Sequence, residues 1–165
     1  MIDGKTVHLK PFSLDDTDFL LKWNNDSEYV GEFEPFEPVS RKELTDWLRR
    51  EKPGQLFFII ETISGEKVGQ IVGRQMEDGS YQIGYRMIPS ARERGYCTEA
   101  ARSLIHHLQK NMGVDRITAE VNPRNISSIR VLEKLNFMKI SHKKRMIKIN
   151  GLWLDGFIYE LNSEE

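Results

Sequence analysis

The stretch Arg92-Glu93-Arg94-Gly95-Tyr96-Cys97-Thr98 lies between a strand-like run, Ser80 to Ile88, and a strongly helical one, Thr98 to Asn111. The next extended run, Arg116 to Val121, must then lie parallel to the first, because a strand–helix–strand crossover sets its two strands side by side in the same direction. The loop constrains chemistry as well as topology. A glycine-containing loop that opens a helix gathers backbone N–H groups and the positive end of the helix dipole at one point, where a phosphate is stabilised.

The elements around this unit follow from periodicity. Val7 to Leu9 alternates with polar neighbours and stops at Pro11, a short first strand. Ser13 followed by Asp15 and Asp16 caps a helix with Phe19, Leu20 and Trp23 on one face, and Ser40 with Glu43 forms a capping box ahead of Leu44, Trp47 and Leu48. Between them, Ser27 to Val39 carries Glu28, Glu32, Glu34 and Glu37 around Tyr29, Phe33 and Phe36; Pro35 and Pro38 prevent a long helix, so it reads as an acidic, aromatic loop. Leu56 to Thr62, Lys67 to Gln75 and Ser80 to Ile88, separated by Ser64-Gly65 and Asp78-Gly79, form an antiparallel meander. In the crossover helix Ala101, Leu104, Ile105, Leu108 and Met112 share a face, and Gly113 ends it. Asn125 to Leu135 is a further helix, and Phe137 to Ile149 and Leu152 to Leu161 close on Asn150-Gly151 as a hairpin. A mixed α/β sheet with helices on its faces is the expected architecture.

At 165 residues the chain is expected to be one domain, and 24 Lys plus Arg against 25 Asp plus Glu leave a net charge of -1, which provides no general drive toward nucleic acid or anionic membrane. Cys97 is the single cysteine, so no internal disulfide forms. The longest apolar run, Leu56 to Ile60, is too short to span a bilayer, and no charged-then-apolar leader is visible. A soluble, cytoplasmic protein is expected. The four histidines show no metal-ligand spacing, and no metal is expected. His142-Lys143-Lys144-Arg145, on the terminal hairpin, reads as a solvated edge that discourages sheet-to-sheet pairing.

The order of elements, with Arg92-x-x-Gly95-x-Cys97 after one strand and Asn125-x-x-Ser128 and Phe137 after the next, resembles the GNAT superfamily of acetyltransferases over nearly the whole chain. Ile83-Gly84-Tyr85, Gly95-Tyr96-Cys97-Thr98-Glu99-Ala100 and Ser128-Ile129-Arg130-Val131-Leu132-Glu133-Lys134-Leu135 place the likeness nearest the RimJ/RimL-type branch, which acetylates ribosomal-protein N-termini and small amines. The resemblance implies a mostly antiparallel seven-stranded sheet with a central parallel strand pair and about four helices, residues 1–165 forming a single acetyl-CoA-dependent N-acetyltransferase domain. It also implies that Arg92, Glu93, Arg94, Gly95, Tyr96, Cys97 and Thr98 hold the pyrophosphate of acetyl-CoA, that Met87 and Ile88 pair through their backbone with the pantetheine arm, and that Asn125 contacts the same arm. Leu132 stands where many members place a tyrosine acid, Gln82 where relatives often carry a glutamate, and Asn136 where glycine is usual before Phe137. Asn is the next best residue for a left-handed conformation.

Direct transfer of acetyl to an amine needs a neutral nitrogen, a polarised carbonyl and a group that meets the leaving thiolate. Ser128, one turn from Asn125, follows the serine of this branch as the thiol contact; it equally suits the first turn of its helix. Glu120, on the parallel strand, is positioned to act as base or to face solvent. Glu99 reads as a complement to the helix dipole and Cys97 as unreactive, since no histidine accompanies it. Glu32, Phe33 and Glu34 suit a cationic amine or peptide N-terminus, or else form a charged surface loop. A homodimer through Trp153, Phe157 and Ile158 is compatible with the hairpin, and a non-catalytic CoA-binding module is the alternative function.

Overall fold

A computed structural model describes residues 1–163. Eight strands form one sheet in the order β1-β2-β3-β4-β5-β6-β8-β7: β1 Ile2–Asp3, β2 Val7–Pro11, β3 Gln55–Thr62, β4 Lys67–Gln75, β5 Tyr81–Met87, β6 Arg116–Val121, β7 Met138–Ile149 and β8 Leu152–Asn162. Five α-helices accompany it: α1 Thr17–Asn24, α2 Ser27–Val30, α3 Arg41–Arg49, α4 Tyr96–His106 and α5 Ile126–Lys134. Seven strands and about four helices were expected, and the additions are the two shortest elements. β1 is two residues long, and α2 is a single turn inside the acidic loop, with Asp26 accepting from the Glu28 N–H at 2.9 Å.

Alternation along the strands sorts side chains to two faces. On one, α4 lays Ala100, Ala101, Leu104 and Ile105, and the turn after it Leu108, against Val7, Leu9, Ile60, Ile71, Ile83 and Ile117, with Leu132 of α5 and its C-cap Leu135 joining the same core. On the other, Leu20, Trp23, Tyr29, Val30 and Leu44 from α1–α3 close over Ile59. Leu132 is therefore a fully buried core residue. Met112 is exposed, because α4 passes into a π turn at His107–Asn111 that rotates the apolar face away before Gly113 turns the chain at φ 66°. Asn136 takes φ 67°, the left-handed conformation anticipated for it.

Glu99 has a structural task. Its carboxylate accepts from the Lys5 and Thr6 N–H groups at 2.6 and 3.0 Å and from the Thr6 hydroxyl, clasping the β1–β2 turn to the start of α4. Desolvation pulls the carboxyl upward, but these hydrogen bonds outweigh it and hold it below the ordinary range. A depressed carboxyl contributes stability that is present above its unfolded value and lost as pH falls through the folded one. Urea midpoints followed from neutral pH downward should fall less steeply for Glu99→Gln than for the parent; identical acid slopes would show that the clasp adds nothing.

Among the described residues β7 is an edge of the sheet, with His142, Lys143, Lys144 and Arg145 exposed along it, as a protected edge requires. The apolar dimer surface expected on this hairpin is smaller than the sequence suggests. Ile158 is buried and Phe157 half-buried beneath the Lys139 ammonium at 4.2 Å, leaving Trp153 as the exposed member of the three.

Candidate active site

The site is built where the sheet opens. β4 and β5 pair along their whole length, from Gln75↔Tyr81 to Gly69↔Met87, and β6 and β8 from Arg116↔Asn162 to Val121↔Phe157. β5 and β6, the parallel pair, meet only at Tyr81↔Ile117 and Gln82↔Thr118. Beyond these pairs the strands splay, and the edges Ile83–Met87 and Ala119–Val121 line a wedge whose backbone groups have no strand between them. An extended, amide-bearing chain can complete such an edge by hydrogen-bonding to it. The Ile88 N–H does not take part, because it donates to Val68 O at 2.9 Å on the β4 side. Alternation then turns the Met87 N–H toward the wedge, so of the two residues expected to pair with the cosubstrate Met87 alone presents its amide there.

At the wide end lies the loop before α4. Glu93 and Gly95 both adopt left-handed backbone, φ 62° and 82°, and Gly95 is the N-cap of a helix that starts at Tyr96, two residues earlier than periodicity suggests. The first amide of this turn with an internal backbone acceptor is Glu99, bonded to Gly95 O at 3.1 Å. Among the described residues no backbone carbonyl or side-chain oxygen accepts from the N–H groups of Arg94, Gly95, Tyr96, Cys97 or Thr98. Several converging donors at a helix N-terminus fit a phosphate or pyrophosphate.

The side chains of the loop behave differently from its backbone. Arg92 was expected to add charge for the phosphate, yet its guanidinium donates to Met87 O at 3.3 Å, Glu28 O at 2.8 Å and Tyr29 O at 3.5 Å. It thereby pins α2 to the end of β5. Both arginines are exposed, but among the described residues Arg94 has no such hydrogen-bond partner and is the one whose cation is left for a ligand. Burial pushes the Cys97 thiol up to about 12, the opposite of the activation a helix N-terminus can give, so Cys97 is held as an unreactive thiol.

The far wall is the start of α5. Asn125 is its N-cap, with Oδ1 accepting from the Ser128 N–H at 3.3 Å. The Ser128 hydroxyl lies 3.0 Å from the Tyr85 hydroxyl, a contact that reaches across the wedge from β5 to α5. Tyr85 escapes notice in the sequence because it reads as an apolar strand residue in register with Tyr81 and Ile83; its partner is 43 positions away. Glu120 is exposed on β6, on the face opposite the buried Ile117, Ala119 and Val121, and no hydrogen-bond or ion-pair partner holds it among the described residues.

The acidic loop is less anionic than its composition suggests. Glu34 Oε2 is 2.6 Å from Arg86 Nε on β5, and Glu32 Oε2 is 4.0 Å from an Arg124 nitrogen on the loop leading to α5. Phe33 between them is half-buried. Thus Glu32 and Glu34 are brought to the wedge mouth, each beside an arginine that periodicity did not single out. Two open surface hollows lie elsewhere, one lined by Asp78, Tyr81 and Arg116 and the other by Phe12, Trp47 and Phe57.

This arrangement has counterparts among known proteins. Residues 6–138 match the family model described as an acetyltransferase (GNAT) domain. A probable N-acetyltransferase, YjcK of Bacillus subtilis, is 32% identical over 170 residues, covering 94% of this chain and 93% of that protein. RimJ of Mycobacterium smegmatis, solved in complex with CoA-disulfide, superposes with a TM-score of 0.83 at 26% identity over 95% of this chain and 82% of that one. A ribosomal-protein-S5-alanine acetyltransferase from Vibrio fischeri shares the fold, with a TM-score of 0.87 at 17% identity over 97% and 94% of the two chains. The matched domain and the related sequence, with the open wedge beside the loop of free amides before α4, lead to one assignment: the chain belongs to the GNAT family of acetyl-CoA-dependent N-acetyltransferases.

Proposed function

We propose that the acceptor of this N-acetyltransferase is the α-amine of a peptide or protein N-terminus. The observation that carries this reading is the pairing of Glu34 with Arg86, supported by that of Glu32 with Arg124. A linear polyamine, with several separated ammonium groups, calls for several unpaired carboxylates, whereas these two have arginines beside them. A peptide N-terminus brings one amine followed by a polar backbone and suits a mouth of mixed charge. The Vibrio fischeri enzyme of similar fold is named for the N-terminal alanine of a ribosomal protein, in keeping with this choice.

Acetyl-CoA supplies the acyl group as a thioester. In this reading the amide donors of Arg94 to Thr98 hold its pyrophosphate, the Met87 N–H and Asn125 hold its pantetheine arm, and the thioester lies in the wedge between Tyr85 and Ser128 on one side and Glu120 on the other. The acceptor nitrogen bonds to the acyl carbon, the carbon–sulfur bond breaks with its electron pair going to sulfur, and Glu120, directly or through water, takes the proton that nitrogen releases. Ser128 faces the departing sulfur. A thiol-release assay over short peptides with free or blocked N-termini and over spermidine tests the reading. Free-amine peptides should be turned over, and their blocked counterparts and spermidine should not; turnover of spermidine with the peptides idle would overturn it.

A further inference from the structure

In this family a phenol at the Leu132 position would meet the leaving sulfur, and here that position is buried hydrocarbon. We infer that Tyr85 takes over part of that task from the opposite wall, as a positioning residue that acts through Ser128 and rests on the acetyl-transfer reading above. Three observations carry this. The Tyr85 and Ser128 hydroxyls are 3.0 Å apart and join β5 to α5 across the wedge. The Ser128 backbone is fixed independently by the Asn125 cap, so its hydroxyl is limited to the few staggered positions of one χ1 angle. Burial, together with the neighbouring Cys97 thiol, keeps the Tyr85 phenol protonated, and a protonated phenol is a donor.

The contact allows either hydroxyl to donate, and the Ser128 carbonyl is a second acceptor 3.4 Å from the phenol; in the arrangement inferred the Tyr85 hydrogen goes to a lone pair of Ser128 Oγ, which leaves the hydroxyl hydrogen of Ser128 to point into the wedge. Donating to one hydroxyl polarises it and makes it a better donor in turn. Ser128 is thus presented to a sulfur in one orientation, as a hydrogen-bond donor that favours thiolate over thiol. Neither residue needs to lose its proton outright.

The test reads the titration of bound CoA and needs no turnover. The thiolate absorbance of CoA is followed against pH with saturating protein for the parent, Tyr85→Phe, Ser128→Ala and the double variant. Cys97, the nearby titratable thiol, is held at about 12 and stays silent over the range where CoA titrates, ordinarily near ~8.5. The parent should shift the bound thiol to lower pH than free CoA. Each single variant should return the titration upward by roughly tenfold in thiolate fraction, the scale of one charge-assisted hydrogen bond, and the double variant should match the singles. Unchanged titration in Tyr85→Phe, effects that add in the double variant, or no shift in the parent would each overturn the inference. Failure of the parent to bind CoA at all would instead sink the acetyl-transfer reading and carry this inference down with it.

Discussion

Replacing Gly95 by valine should lower acetyl-CoA affinity roughly a hundredfold or more while leaving the fold in place. Gly95 holds φ 82°, and left-handed backbone costs an L-residue about 1–2 kcal/mol, more where the side chain is β-branched. Apart from the adjoining residues of the chain, no protein atom lies within 4 Å of a Cβ built there, so the substitution meets no steric barrier from the packed protein. Relief comes from rotating the loop out of the left-handed region, which turns the N–H groups of residues 95–97 away from one another. Each charge-assisted hydrogen bond to a phosphate is worth about 1.5–3 kcal/mol, so disordering two of them accounts for the expected loss. Calorimetry with acetyl-CoA gives the affinity, and thermal unfolding should show a melting temperature lower by only a few degrees. Undiminished binding would place the pyrophosphate away from α4, and collapse of the fold would show that the glycine is structural first.

What could be read in the sequence was whatever depends on near neighbours along the chain. β4 and β6 run over the residues that alternation marks, Lys67–Gln75 and Arg116–Val121, and the crossover rule alone makes β5 and β6 parallel. The loop before α4 was legible for the same reason, since a glycine between a strand and an amphipathic helix is a local signal. Helix α2 was not, because four residues carry too little period; it is held by Trp23 stacked on Tyr29 at 5.2 Å and by Arg92 from beyond β5. The charge state of the acceptor mouth was hidden likewise. Glu34 looks like a free carboxylate until Arg86, 52 positions away, comes to within 2.6 Å. Ser128 stood out through the family resemblance, but Tyr85 looked ordinary, and only the splay of two strands makes them partners. Backbone donors, in short, came from local sequence, while side-chain pairing at the site came from tertiary contact.

The largest stability effect is expected far from the wedge, at Asp16. Its side chain is fully buried, with Oδ1 2.8 Å from Lys67 Nζ on β4 and 3.9 Å from Lys10 Nζ on β2. The other oxygen accepts from the Ser13 N–H at 2.9 Å, fixing the turn that leads into α1. One carboxylate therefore ties the helical layer of α1 to two strands. Lys67 is itself largely buried, and its ammonium lies 4.4 Å from the Phe19 ring, so it has little water to fall back on. Asp16→Ala strands that ammonium and frees the Ser13 amide, and breaking a buried pair from one side costs about 3–5 kcal/mol. In a chain of this size the melting temperature should fall by roughly 10 °C or more. Asp16→Ala combined with Lys67→Met should recover a large part of the loss, because the cost comes chiefly from an uncompensated buried charge rather than from the absence of the attraction. Acetyl-CoA affinity at a temperature where both variants are folded should match the parent, since α4, β5 and α5 do not touch Asp16 through any of these bonds. A melting temperature for Asp16→Ala within about 2 °C of the parent would mean that Lys67 reaches solvent more easily than its burial implies.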